Sequence, residues 1–223
     1  MRRRRFLAAG GAASLVKPAY AQSLPVPPGN AISFKILRNG TPVGEHFLNF
    51  TRKGEDLTVE IHIRLKVAFA GIPVFGYHAS ATERWSGGVF QSLDSAVNHN
   101  GTHLEVHAHK VAGGYAVVGV NHSNPAKSYP AYTAPPDTLP LTYWNKAILQ
   151  ATVLNIETAH SYPVIVRSPG WNSLPTANGG HLEAQRFNIT GKLHLSVWYD
   201  RMAQWSGLEF HVNGDETYEK IIS

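Results

Sequence analysis

The clearest pattern in the chain is a strict alternation of apolar and polar positions between residues 57 and 69. The apolar positions are Leu57, Val59, Ile61, Ile63, Leu65, Val67 and Phe69, and between them lie Thr58, Glu60, His62, Arg64, Lys66 and Ala68. A repeat of two sends successive side chains to opposite faces of a β-strand, so the segment predicts a strand with one buried face. At about 3.3 Å per residue it spans roughly 43 Å, a length at which a twisted sheet curls.

Shorter apolar runs of the same kind fill most of the chain, and turn-forming pairs such as Asn39-Gly40 and Asn100-Gly101 separate them. The predicted strands cover residues 31–38, 43–52, 56–69, 76–86, 89–98, 102–111, 115–121, 160–167, 181–189, 192–199, 205–212 and 216–222. The pattern therefore predicts an all-β fold, an antiparallel meander of about twelve strands that curls into a barrel or half-barrel.

Three segments depart from this rhythm. Residues 122–140 contain five prolines and predict a long surface loop. Residues 168–180 predict a second irregular loop, and residues 142–150 predict one short helix with Thr142 as its N-cap.

The turns on either side of the second predicted strand imply two different inward faces for that strand. Pairing across Lys53-Gly54 places Phe50 on the apolar face, whereas pairing across Asn39-Gly40 brings Val43 inward from the other face. Either residues 43–50 are buried on both sides or a β-bulge intervenes.

The N-terminus has the organisation of an export signal. Four arginines from Arg2 to Arg5 precede a short apolar run, which ends in the Ala-x-Ala pair of Ala19 and Ala21. Such a sequence predicts a twin-arginine-type signal peptide over residues 1–21, cleaved after Ala21. The apolar run is far shorter than the roughly 20 residues of a spanning helix. We therefore expect a periplasmic protein without a transmembrane anchor after processing.

Cleavage also changes the charge. Five of the 20 basic residues lie in residues 1–21, and the remaining 15 equal the 15 acidic residues. A neutral chain exerts no long-range attraction on a polyanion, so nucleic acid is not expected as a partner. We expect residues 22–30 to form a flexible mature N-terminus and residues 31–223 to form a single β-domain.

Histidine provides the candidate metal ligands. The chain has no cysteine and 12 histidines, four of them in the hairpin around Asn100-Gly101. A two-residue turn there places His107 opposite Asp94 and His109 opposite Ser92, with these polar side chains on one face and apolar ones on the other. Asp94, His107 and His109 could therefore hold a divalent metal, the one cofactor that the sequence suggests. The alternative is a solvated or pH-sensitive face without a cofactor.

The sequence offers no catalytic motif. A nucleophile elbow, a zinc-protease helix, a phosphate-binding glycine loop and a dinucleotide fingerprint are all missing from it. No catalytic residue is predicted, and an enzyme is the less favoured class. The five tryptophans and nine tyrosines are typical of core packing, or alternatively of the lining of an apolar cavity.

Several landmarks in order resemble a family of bacterial exported proteins known only as a domain of unknown function. The most specific are Glu83-x-Trp85 with its glycine turn, Tyr143-Trp144-Asn145 and Trp198-Tyr199-Asp200. The resemblance covers nearly all of residues 31–222. It implies a periplasmic β-domain, distantly similar to half-barrel lipoprotein carriers of the cell envelope, with no established activity and no catalytic residue to transfer.

Together these features favour a binding module that holds an apolar or amphipathic, lipid-like ligand inside a curled sheet, although no ligand-binding residue can be assigned. An envelope interaction or structural protein, acting through residues 122–140 or an exposed sheet edge, is the second hypothesis. A metal-dependent or hydrolytic enzyme centred on Asp94, His107 and His109 is the third.

Overall fold

The computed structural model describes residues 24–70, 72–211 and 215–221, with backbone only for Phe69 and for 215–221. The signal peptide and its cleavage residues, Ala19 and Ala21, lie outside this part of the chain. Its strands are β1 Ala31–Arg38, β2 Thr41–Lys53, β3 Asp56–Phe69, β4 Ile72–Ser86, β5 Val89–His99, β6 Thr102–Val111, β7 Gly114–Asn121, β8 Tyr132–Ala134, β9 Thr138–Pro140, β10 Thr152–Leu154, β11 Ser161–Pro163, β12 Ile165–Pro175, β13 His181–Thr190, β14 Leu195–Tyr199, β15 Trp205–His211 and β16 Asp215–Ile221. Two 3₁₀ helices cover Pro125–Lys127 and Lys146–Gln150. No helix in this part of the chain is long and apolar enough to cross a membrane.

Thirteen of the strands form one antiparallel sheet in the order β12-β13-β14-β15-β16-β1-β2-β3-β4-β5-β6-β7-β8. Strands β1–β8 form one meander and β12–β16 a second, and the pairing of β16 with β1 joins them. Within the described residues the order ends at β12 and β8, so the all-β, curled meander of the sequence prediction is confirmed as an open sheet and not as a closed barrel.

One face of this sheet encloses the main hydrophobic core, and a smaller cluster of Leu141, Ile148 and Val153 lies within the inner segment described below. The predicted alternation in β3 is confirmed, because Leu57, Val59 and Ile61 are at most 1 % exposed while their polar neighbours face outward. The same cluster includes residues from both meanders, among them Phe34, Leu48, Leu93, Val106, Val197 and Leu208. Contact between strands so distant in the sheet order follows from its curvature.

Residues 138–163, here called the inner segment, lie against the concave face. They contain β9, the second 3₁₀ helix, β10 and β11, and their small sheet pairs β9 with β10 in parallel. This pair departs from the all-antiparallel prediction, since the chain between its strands crosses over through the 3₁₀ helix. Trp144 is fully buried, with its ring centroid 5.3 Å from that of Phe50 and 5.4 Å from that of Trp85.

Several local predictions can be compared with the structure. The bulge expected near the first hairpin lies between Ile36 and Leu37 of β1. The helix predicted over 142–150 is only the five-residue 3₁₀ helix, capped by Asn145 and not by Thr142, whose hydroxyl is used elsewhere. The loop predicted over 168–180 was wrong in its first half, because β12 continues to Pro175 with a register shift between Arg167 and Gly170.

The residues before β1 contact the domain. Leu24 and Val26 pack against the core, and the side-chain amide of Gln204 donates to the Pro25 carbonyl over 3.1 Å. The division of the chain after residues 21 and 30 stays a prediction.

Candidate ligand-binding cavity

A cavity of about 740 Å³ lies between the β3–β4 hairpin, the ends of β1 and β15, and the inner segment. Most of its lining is aliphatic or aromatic. The lining residues are Arg38, Asn39, Ile63, Leu65, Val67, Ala68, Val74, Phe75, Tyr77, His99, Leu141, Tyr143, Asn155, Ile156, Glu157, Leu208 and Phe210.

The long apolar face of β3 explains why this space is hollow. The first part of that face is buried in the core, as far as Ile63, whereas Leu65 and Val67 further along the strand are only half-buried. The apolar positions of β3 therefore continue past the fully packed part of the core and line the cavity. The concave face of the sheet is therefore packed with side chains at one end and leaves a cavity at the other, which is called its open end.

One wall of the cavity contains a cluster of polar groups, while Arg38 and Asn39 line it at the end of β1. His99 Nδ1 lies 2.7 Å from the Glu157 carboxylate, and Tyr77 is hydrogen-bonded to the same carboxylate. Burial, together with the negative charge of Glu157, raises the pKa of Tyr77 far above its usual value. Burial also raises the pKa of Tyr143. Both phenols are therefore neutral hydrogen-bonding groups at any physiological pH.

A buried carboxyl group lies between the inner segment and β4. Glu83 is fully buried and accepts hydrogen bonds from the indoles of Trp85 and Trp144, at 2.8 and 2.9 Å, and from the Thr142 hydroxyl at 2.5 Å. Burial raises the pKa of Glu83 to about 7, although the three hydrogen bonds oppose that shift. This carboxyl group fastens the inner segment to β4.

The sequence landmarks lie together around this carboxyl group. Glu83 and Trp85 contact Trp144 as described, and the Tyr199 hydroxyl donates to the Tyr143 carbonyl over 2.7 Å. Asp200 accepts from the backbone N–H groups of Met202 and Gln204, as a turn residue does, and so makes no site of its own. The landmarks mark the junction between sheet and inner segment.

Sequence reasoning missed Glu83 as a buried group, although a signal was present. Along β4 the inward positions are Ala79, Ala81, Glu83 and Trp85, all buried. An acid at an apolar position of an alternating strand indicates a buried carboxyl group with dedicated donors.

The predicted metal residues lie elsewhere, on the outward face of β5 and β6. The predicted register is confirmed, with Asp94 opposite His107 and Ser92 opposite His109. His107 Nδ1 lies 2.9 Å from Asp94, which also pairs with Arg84 at 3.0 Å. The hydrogen bond between them raises the pKa of His107 and lowers that of Asp94.

This arrangement is a chain of contacts between carboxylate and basic side chains. Glu105 continues it, 3.5 Å from His107 Nε2 and 3.1 Å from His122 Nε2. His109 lies one outward position further along β6. Within the described ranges no group of three histidine or carboxylate residues is arranged to hold a metal ion. Metal binding by Asp94, His107 and His109 stays a prediction without geometric support.

Comparison with known proteins gives a family but no activity. No curated protein and no solved structure matches the chain. Residues 34–221 match the family described as a domain of unknown function, DUF6134, and the match extends over all of the strands from β2 to β15. The chain therefore belongs to the DUF6134 family.

Proposed function

We propose that this protein binds an apolar or amphipathic, lipid-like ligand in the cavity between the β3–β4 hairpin and the inner segment. The observation that supports the proposal is an apolar space of about 740 Å³ at the open end of the sheet. Small-molecule sites have volumes of about 300–1,000 Å³ and combine an apolar lining with a few polar groups.

The distribution of polar groups indicates how such a ligand is oriented. Its apolar part would lie against Leu65 and Leu208, and its polar end would face the wall formed by Tyr77, His99 and Glu157. Because that wall offers both donors and acceptors, an uncharged polar end such as a hydroxyl group suits it better than a carboxylate, which Glu157 would repel.

The expected location is part of the proposal. We infer that residues 1–21 direct export and that the protein acts in the periplasm. N-terminal sequencing of protein from fractionated cells tests this: processed chains from the periplasm should begin at Gln22. Full-length chains confined to the cytosol would contradict export.

Ligand binding can be tested with a variant that fills the cavity. Val67 lines the cavity, whereas the adjacent Lys66 is exposed on the outer face of the same strand. Val67→Trp should reduce the affinity for the fluorescent apolar probe N-phenyl-1-naphthylamine by about tenfold or more, and Lys66→Trp should leave it unchanged. Thermal unfolding of both variants checks that the fold is retained.

The natural occupant can be sought directly. Native mass spectrometry of gently purified protein, followed by organic extraction, should reveal a co-purifying lipid-like molecule. Equal probe binding by Val67→Trp and the unmodified protein, or no probe binding by either, would refute the proposal.

A further inference from the structure

The β3–β4 hairpin projects beyond its neighbours at the cavity mouth. Pairing of β3 with β2 ends at Leu65, and pairing of β4 with β5 begins at Tyr77, opposite His99. Among the described residues between them, β3 and β4 pair with each other, and Gly76 also accepts a hydrogen bond from the Asn100 N–H. The four residues 72–75 alone extend about 13 Å at the rise of a β-strand. The described residues at the end of this hairpin, 66–70 and 72–76, are called the tip.

Large apolar side chains of the tip are exposed. Ile72 is 67 % exposed and Val74 is 55 % exposed, with Pro73 between them. Hydrophobic side chains at the end of a projecting hairpin are costly in water and gain free energy when they enter an apolar phase. A depth of about 5–10 Å, as reached by interfacial segments, would bury them.

The charged side chains of the β3–β4 hairpin next to the tip are basic. Arg64 and Lys66 are exposed on the outer face of β3, and residues 61–82 contain no aspartate or glutamate. Glu45 on β2 lies opposite Arg64 and is the acid facing this group from the neighbouring strand. An apolar tip beside basic side chains is the arrangement that binds an anionic lipid surface. Pairing of two tips from two copies would instead bring their like charges together.

We propose that the tip is a membrane-docking element that inserts Ile72 and Val74 into a bilayer with anionic headgroups. Val67, Val74 and Phe75 also line the cavity, so docking would place the cavity mouth at the lipid surface. A ligand could then pass between the bilayer and the cavity, an inference that rests on the proposed function, whereas the docking itself does not.

Vesicle flotation tests the docking with protein isolated from its cells after any processing. The protein should float with vesicles containing phosphatidylglycerol, and less with vesicles of phosphatidylcholine alone. The double variant Ile72→Ser/Val74→Ser should lose about tenfold or more of this binding. The matched control is Ile165→Ser/Met202→Ser, which removes two apolar side chains that are 60 % and 67 % exposed elsewhere, and it should bind normally.

A label reports insertion directly, because the chain contains no cysteine. Val74→Cys carrying an environment-sensitive fluorophore should shift to shorter wavelength with phosphatidylglycerol vesicles, and Ile165→Cys with the same label should not. Equal binding by the two double variants, or no shift at residue 74, would overturn the proposal. If the unmodified protein self-associates but does not bind vesicles, and Ile72→Ser/Val74→Ser abolishes the self-association, the tip contacts a second copy of the chain and the proposal is overturned.

Docking and ligand binding can fail separately. N-phenyl-1-naphthylamine binding measured without vesicles should be retained in the single variant Ile72→Ser, which weakens flotation and lies outside the cavity lining, while Val67→Trp should lose probe binding and still float. A protein that floats but binds no probe would refute only the proposed function.

Discussion

Replacing Glu83 by glutamine should stabilise the protein at about pH 8 and leave its stability near pH 4.5 almost unchanged. Burial raises the pKa of the folded carboxyl group to about 7, against 4.5 for an ordinary glutamate. Between these values the folded state holds a proton that the unfolded state has released. The contribution of Glu83 to stability is thus fully present below the unfolded pKa and falls as the pH rises through the folded pKa.

The size of the effect follows from the shift. One pKa unit corresponds to about 1.4 kcal/mol, so the shift of Glu83 costs the folded protein about 3 kcal/mol once the group is ionised. Glutamine is neutral at every pH. Its carbonyl can accept from the indoles of Trp85 and Trp144, and its amide can donate to the Thr142 hydroxyl. The variant therefore retains the network and avoids the charge.

Urea unfolding at a series of pH values measures this difference. The gap in unfolding free energy between Glu83→Gln and the unmodified protein should rise by about 3 kcal/mol from pH 4.5 to 8. Glu83→Ala is the contrasting variant, because it leaves three buried donors without an acceptor and should cost about 3 kcal/mol or more at pH 4.5. That cost should shrink by about 3 kcal/mol at pH 8, since alanine also removes the ionising group. A gap for Glu83→Gln that is constant with pH would refute the assignment of a raised pKa.

Two further predictions concern the core, and both can be checked by chemical denaturation. Burial lowers the pKa of His46 to about 3, so the stability that it contributes is present above pH 6.5 and falls on acidification. Below pH 6.5 the unmodified protein should lose about 1.4 kcal/mol of unfolding free energy per pH unit through this group, and His46→Phe should remove that pH dependence. An unchanged pH slope would contradict this. Gly44→Ala should destabilise the protein by about 2 kcal/mol or more, because its Cβ would lie 2.0 Å from the Arg64 carbonyl oxygen. Gly76→Ala, where the Cβ meets open space, is the control and should change stability little.

The strands were predictable because local signals agreed with the packing. The β5–β6 register followed from a two-residue turn, and Asn100 and Gly101 have the positive φ values, 50° and 90°, that such a turn needs. The bulge in β1 was one of the two outcomes that the incompatible apolar faces predicted. In both cases neighbouring residues alone carried the information.

The inner segment was less predictable because tertiary contacts decide its conformation. Residues 142–150 have a helical composition, but the Thr142 hydroxyl donates to Glu83 and the Trp144 indole is buried against Trp85. These long-range contacts leave only a 3₁₀ turn. Similarly, Pro169 and Pro175 indicated a loop, yet an edge strand with a bulge tolerates proline, and β12 is an edge strand. The position of the cavity depends on which apolar surfaces are covered by other side chains, so the alternation of apolar and polar residues along the strands could not predict it.

The pairing of β16 with β1 has a consequence for synthesis. Ser33 lies opposite Ile221, so the second neighbour of the first strand is synthesised much later than that strand. Until then β1 and β15 each expose a bare hydrogen-bonding edge, which invites association with other nascent chains. Contacts so remote in sequence also form slowly. The sheet can therefore be completed only after β16 has left the ribosome, and shielding by a chaperone in that interval would protect both edges.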